Sequence, residues 1–247
     1  MHDCDGKGEY RIDGHVLIQV EGNMCATYFV DDGTAMEMLE IINDLNKKFG
    51  YETVSYEQIY PSGAPEGHDI YPKQSAPVGK FIDSQFTASA SVWGFPLRNG
   101  RITGFNARAE SLKKYDAWKR AYTKGRAFAP AKRFYENLKL PGGKSERYSF
   151  SKPDCSLLFL AAMVETSVDK AGNPFEVFTV ITVDANASVS EIHDRMPLLL
   201  EADELALWMT DEEYADGLLN RQGPELVSAI IRNSSNEKED DQFTLFD

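Results

Sequence analysis

Two neighbouring stretches constrain this chain most: GFNARAES at 104–111 and AFAPAKRFYEN at 127–137. Both run as apolar, strand-like segments, yet they hold an amide (Asn106), a guanidinium (Arg108) and two carboxylates (Glu110, Glu136). Such groups are costly to bury unless they are paired. The fold must therefore bring them partners or a ligand. Two readings follow: a functional site, or an ordinary Arg108–Glu110 ion pair at a strand-to-helix junction.

The surrounding pattern is one of short strands. An apolar strand begins at Cys25 (CATYFV), and Asp31 to Thr34 offer a turn and helix N-cap. Met36, Leu39, Ile42 and Leu45 recur at helical spacing until Gly50 closes the helix. Residues 60–79 are rich in Pro, Gly and Ser and read as loop or extended structure. Strands are expected near 80–87, 90–97, 126–136, 147–152, 156–165 and 174–183, and helices near 109–121, 202–209 and 211–220. No βαβ alternation or internal repeat occurs. The expected fold is α+β: a single domain with a mostly antiparallel, barrel-like β core flanked by short helices. Residues 1–23 read as an extension or leader, 24–232 as the domain, and 233–247 as a disordered acidic tail.

A chain of 247 residues can bury a sizeable core. It has no apolar run long enough for a membrane span and no signal-like start, so no membrane partner is expected. Three cysteines without disulfide or zinc spacing suit a reducing, cytoplasmic compartment. Four histidines without clustered ligands, and no phosphate loop, imply neither metal nor other cofactor. The net charge of −13 opposes nucleic-acid binding. Residues 108–133, however, hold nine Lys or Arg against only Glu110 and Asp116. That stretch is either a solvated helix face or a phosphate-attracting patch.

Four separated blocks can be read together: Met24-Cys25; WGF at 93–95 with FNARAES; FYE at 134–136; and IHDRMP at 192–197. In order and spacing they resemble the SOS-response-associated peptidase (SRAP) family, whose members protect abasic DNA by crosslinking to it. The resemblance implies a catalytic set of Cys25, Asn106, Glu136 and His193, and DNA contacts from Arg108, Arg195 and Trp93, the last by stacking on a base. Pro72 and Thr182 fall at the family's substrate-cleft proline and threonine. The implied partner is single-stranded DNA containing abasic sites, with lyase-like and self-processing chemistry attached, acting at the nucleoid. A monomer is the simplest expectation.

The chemistry stands on its own if Cys25 becomes the N-terminus. An α-amino group, with a pKa of about 7.7–8.0, is partly unprotonated at neutral pH and can attack an aldehyde. The thiol on the same residue can then close a five-membered thiazolidine. An internal Cys25 could not do so, because its nitrogen would be an amide. Proton transfers in such a reaction suit a carboxylate and an imidazole. The chain departs from the family pattern where Ala26-Thr27 replaces Gly-Arg, and in residues 1–24, which must be removed. The alternatives are a thiol peptidase acting on proteins, or a non-covalent adaptor on single strands. At the tail, Gln242, Leu245 and Phe246 resemble the peptide by which bacterial repair proteins dock on the sliding clamp. A tail that folds back on its own core is the other reading.

Overall fold

The computed structural model describes residues 27–31, 33–59, 68–96 and 102–231. Strand β1 (Thr27–Val30) leads into helix α1 (Thr34–Phe49). Asp31 turns the chain: its carboxylate accepts from the Thr34 hydroxyl at 2.7 Å and its carbonyl from the Thr34 N–H at 3.1 Å. The helix buries Ala35, Met38, Leu39, Ile42 and Leu45, whereas Met36 is 47% exposed. The expected apolar stripe is therefore displaced at its start, because Met38 and not Met36 lies in line with Ile42 and Leu45. Gly50 ends the helix with φ +76°, a conformation that favours glycine. Asn46, fully buried, exchanges two hydrogen bonds with the Phe86 backbone at 2.8 and 2.9 Å and pins α1 to the core.

After α2 (Tyr56–Ile59) come β2 (His68–Ile70), β3 (Ser75–Ile82), β4 (Gln85–Trp93), β5 (Phe95–Pro96), β6 (Ile102–Gly104) and β7 (Asn106–Arg108). Thus the end of the Pro- and Gly-rich stretch is strand; its residues 60–67 lie outside the described part. The helix expected at 109–121 is a single 3-10 turn at 109–111 followed by α3 (Asp116–Lys124). The stretch expected as one strand at 126–136 is two, β8 (Arg126–Ala131) and β9 (Arg133–Lys139), which enter different sheets on either side of Lys132.

The chain continues through β10 (Ser145–Ser151), the long hairpin β11 (Leu158–Val168) and β12 (Pro174–Asp184), β13 (Arg195–Pro197) and β14 (Leu199–Leu200). Helices α4 (Leu205–Thr210) and α5 (Glu212–Leu218) and the edge strand β15 (Val227–Ile230) complete it. Strands β12, β4, β3, β8 and β11 are hydrogen-bonded in that order, and β11 pairs back to β12, so they close a five-stranded barrel. Closure is antiparallel except at the β12–β4 seam, where Val177 meets Val92 and Phe178 meets Trp93 in parallel. A second sheet, β15-β10-β9-β1-β2, is antiparallel throughout. The α+β, barrel-cored architecture is as expected. Among the described residues no helix is long and apolar enough to cross a membrane.

Candidate active site

Residues opposite one another across a strand pair share a sheet face. On the second sheet Tyr28 faces Phe134, so Tyr28, Phe134 and Glu136 lie on one side. That side is the buried one: Tyr28 and Phe134 are fully buried and Glu136 is 2% exposed. On the barrel, β7 adds in parallel beside β12, with Asn106 opposite Val180 and Arg108 opposite Thr182. Asn106, Arg108 and Thr182 thus share a face with Phe178 and Trp93. The Tyr28 ring, 5.2 Å from that of Trp93, joins the two sheets. Asn106, Arg108 and Glu136 all have polar or ionic partners. The Thr182 hydroxyl is buried and has no hydrogen-bond partner among the described residues.

Trp93 is a hub of this arrangement, but not as expected. Its ring is fully buried, between Tyr28 and Phe178, and cannot stack on a base. It acts instead as a pin. The indole N–H donates to the Phe105 carbonyl at 2.7 Å, just before Asn106. Its backbone N–H and C=O pair with Gln74 and Lys73 at 2.9 and 2.8 Å, which sews the turn containing Pro72 to the same point.

Arg195 is the second hub and likewise departs from expectation. At 6% exposure, its guanidinium is committed to Asp184, to the Glu110 carboxylate at 2.9 Å and to the Thr182 carbonyl at 2.8 Å. Such a fork is poorly placed to hold a phosphate. It ties the NARAE and HDR segments together, so Glu110 pairs with Arg195, which neither reading of the sequence anticipated. The Arg195 backbone N–H donates to His193 Nδ1 at 3.0 Å. The Asp194 carboxylate lies 3.1 Å from the same nitrogen, and the Nε2 edge of His193 is left to face outward contacts. Tyr28 was not singled out from the sequence; its pairing with Phe134 puts it on the same side of the sheet as Glu136.

Part of the basic stretch 108–133 is paired with acids in the fold. Lys113 pairs with Asp216, Arg120 with Glu165 and Lys132 with Glu37. Arg126 is buried and donates to the Trp208 and Tyr122 carbonyls. Among the described residues no group of three His, Cys, Asp or Glu is placed to hold a metal ion. Cys25, Gln242, Leu245 and Phe246 lie outside the described residues.

These features define a class: a single-domain α+β protein with a closed barrel and a flanking antiparallel sheet, the two joined through Tyr28 and Trp93. The family model for SOS response associated peptidase (SRAP) matches residues 24–231, and the chain belongs to that family. It is 30% identical over 173 residues to the abasic site processing protein YoaM of Bacillus subtilis, covering 66% of this chain and 76% of that protein. It is 31% identical over 107 residues to the abasic site processing protein YedK of Escherichia coli, covering 43% of this chain and 47% of that one. A crystal structure of a protein from Bacteroides thetaiotaomicron aligns with a TM-score of 0.67 at 19% identity, covering 85% of this chain and 93% of that chain. That last likeness is one of fold alone.

Proposed function

We propose that this protein recognises abasic sites in single-stranded DNA and captures them covalently through Cys25, after residues 1–24 are removed. The observation that carries the reading is the register of β1, in which Thr27 lies opposite Tyr135, the residue before Glu136. Two residues of chain span at most ~7 Å. A tether of that length is compatible with the amine of Cys25 and the Glu136 carboxylate acting on the same substrate. The names of the curated relatives support the same substrate.

The amine of Cys25 attacks C1′ of the open-chain sugar, forming a C–N bond while the carbonyl oxygen takes a proton. Loss of that oxygen as water leaves an imine. The thiol then adds to the imine carbon, its proton passing to nitrogen, to close the thiazolidine. The whole sequence releases one water. Glu136 and His193 are suited to these proton movements. Asn106 orients the amine or sugar, and Arg108 holds a neighbouring phosphate. Pro72 lines the cleft. Self-processing would hydrolyse the Met24–Cys25 bond with the same groups. Gln242, Leu245 and Phe246 would tether the protein to the sliding clamp.

Intact-mass spectrometry of the chain beginning at Cys25, before and after incubation with an abasic oligonucleotide, tests this. A gain of one oligonucleotide less one water is expected, lost in Cys25→Ser. No stable adduct, with turnover of a peptide instead, would make the protein a peptidase. Reversible binding alone would make it an adaptor.

A further inference from the structure

The face of the second sheet that points away from Glu136 carries an arrangement with no part in the chemistry above. The Arg133 guanidinium lies over the Phe29 ring at 4.2 Å and that of Arg147 over the Tyr135 ring at 3.9 Å. Arg133 Nε donates to the Tyr135 hydroxyl at 3.0 Å, and Arg147 Nη2 to Asp69 at 3.0 Å. The registers Phe29–Arg133 and Arg147–Asn137 put these side chains on one face, with the exposed Lys139 beside them. Asp69 is the acid on that face of the paired strands, against three bases.

We propose that this face is a second contact surface for single-stranded nucleic acid, gripping the strand that flanks the captured site; it rests on the function proposed above. A guanidinium centred over an aromatic ring can present its far side to a base. Among the described residues each of the two spends one N–H group on a neighbour, and the remaining donors can meet phosphates. Both guanidinium groups converge on Tyr135, Arg133 at its hydroxyl and Arg147 over its ring, so the two charges form one continuous patch. The surface also adjoins the reactive end of the chain, because Thr27 lies on this same face opposite Tyr135.

The test uses the full chain beginning at Cys25 and an undamaged single-stranded oligodeoxynucleotide, with affinity measured by anisotropy across salt concentrations. The double variant Arg133→Gln/Arg147→Gln should bind about tenfold more weakly, and its slope of log affinity against log salt should fall by about 1.4, at ~0.7 for each phosphate no longer neutralised. Arg147→Lys should keep the slope but bind more weakly, because an ammonium does not stack as a guanidinium does. That variant also separates a weakened grip on the strand from a misfolded sheet. Unchanged affinity and slope in the double variant would overturn the proposal. So would a wild-type protein that ignores undamaged strands, or an equal loss of binding to polyglutamate. Adduct formation with abasic DNA is read separately by mass. If wild type forms adduct while the double variant binds undamaged strands normally, only this surface fails; if the variant weakens binding while wild type forms no adduct, only the crosslinking reading fails.

Discussion

At the scale of single residues, the two hubs of the site look from the sequence like ligand contacts and turn out to be fasteners. Arg195 spends its fork on Glu110, Asp184 and a carbonyl while its backbone N–H donates to His193 Nδ1. Arg195→Lys keeps the charge but loses the fork. Under the proposed chemistry, its rate of adduct formation should fall roughly tenfold, about 1.4 kcal/mol of barrier. The salt dependence of DNA binding should hardly change; a slope lowered by about 0.7 with an unchanged rate would instead make Arg195 a phosphate contact. Trp93→Phe keeps a ring between Tyr28 and Phe178 but loses the indole hydrogen bond, leaving the Phe105 carbonyl with the Val180 N–H at 3.2 Å. It should lower the urea unfolding free energy by about 0.5–1.5 kcal/mol. A Trp93 that served only to stack on DNA would leave stability unaltered.

At the scale of elements, short runs were legible wherever one periodicity held. The α1 helix, the β11–β12 hairpin and the two acidic C-terminal helices fall close to where alternation and caps place them. The misreadings come from tertiary demands. Residues 126–136 read as one apolar strand because both halves are buried, but the chain changes sheets at Lys132, and a change of partner leaves no mark on hydrophobicity. The β3–β8 contact shows how tight this packing is: a Cβ on Gly79 would lie 2.3 Å from the Phe128 ring. Gly79→Ala should destabilise the protein by about 1–3 kcal/mol through overpacking. Chemical denaturation would reveal it, and Gly79→Ala with Phe128→Leu should recover part of the loss.

At the scale of the whole molecule, barrel closure depends on the short β12–β4 seam, and Glu176 on β12 braces it. Its carboxylate accepts from Lys80 on β3 and from Ser89 and Ser91 on β4. Burial raises the Glu176 pKa, but these donors outweigh it and hold the group below the ordinary value of 4.5. A depressed folded-state pKa gives stability that is complete above about 4.5 and is lost as pH falls through the lower folded value. Glu176→Gln should therefore be less stable at neutral pH, with Lys80 left uncompensated, and should lose less on acidification. Thermal melts between pH 7 and pH 3 would show this, and parallel curves for the two proteins would refute it.

What the sequence determined by itself was local or carried by motif: the strand-rich α+β class, the α1 face, and the polar set Asn106, Arg108, Glu136 and His193. The class and the helix face follow from periodicity, a property of neighbouring positions; the candidate polar set rests on the resemblance of motifs to a family. The tertiary structure alone decided that Glu110 pairs with Arg195 and not Arg108, that Trp93 is a buried pin, and that Lys113, Arg120 and Lys132 of the basic stretch pair with acids distant in sequence. It also decided that Arg133 and Arg147 lie over aromatic rings across neighbouring strands. Each of these depends on strand register, and register joins residues whose separation along the chain carries no local signal.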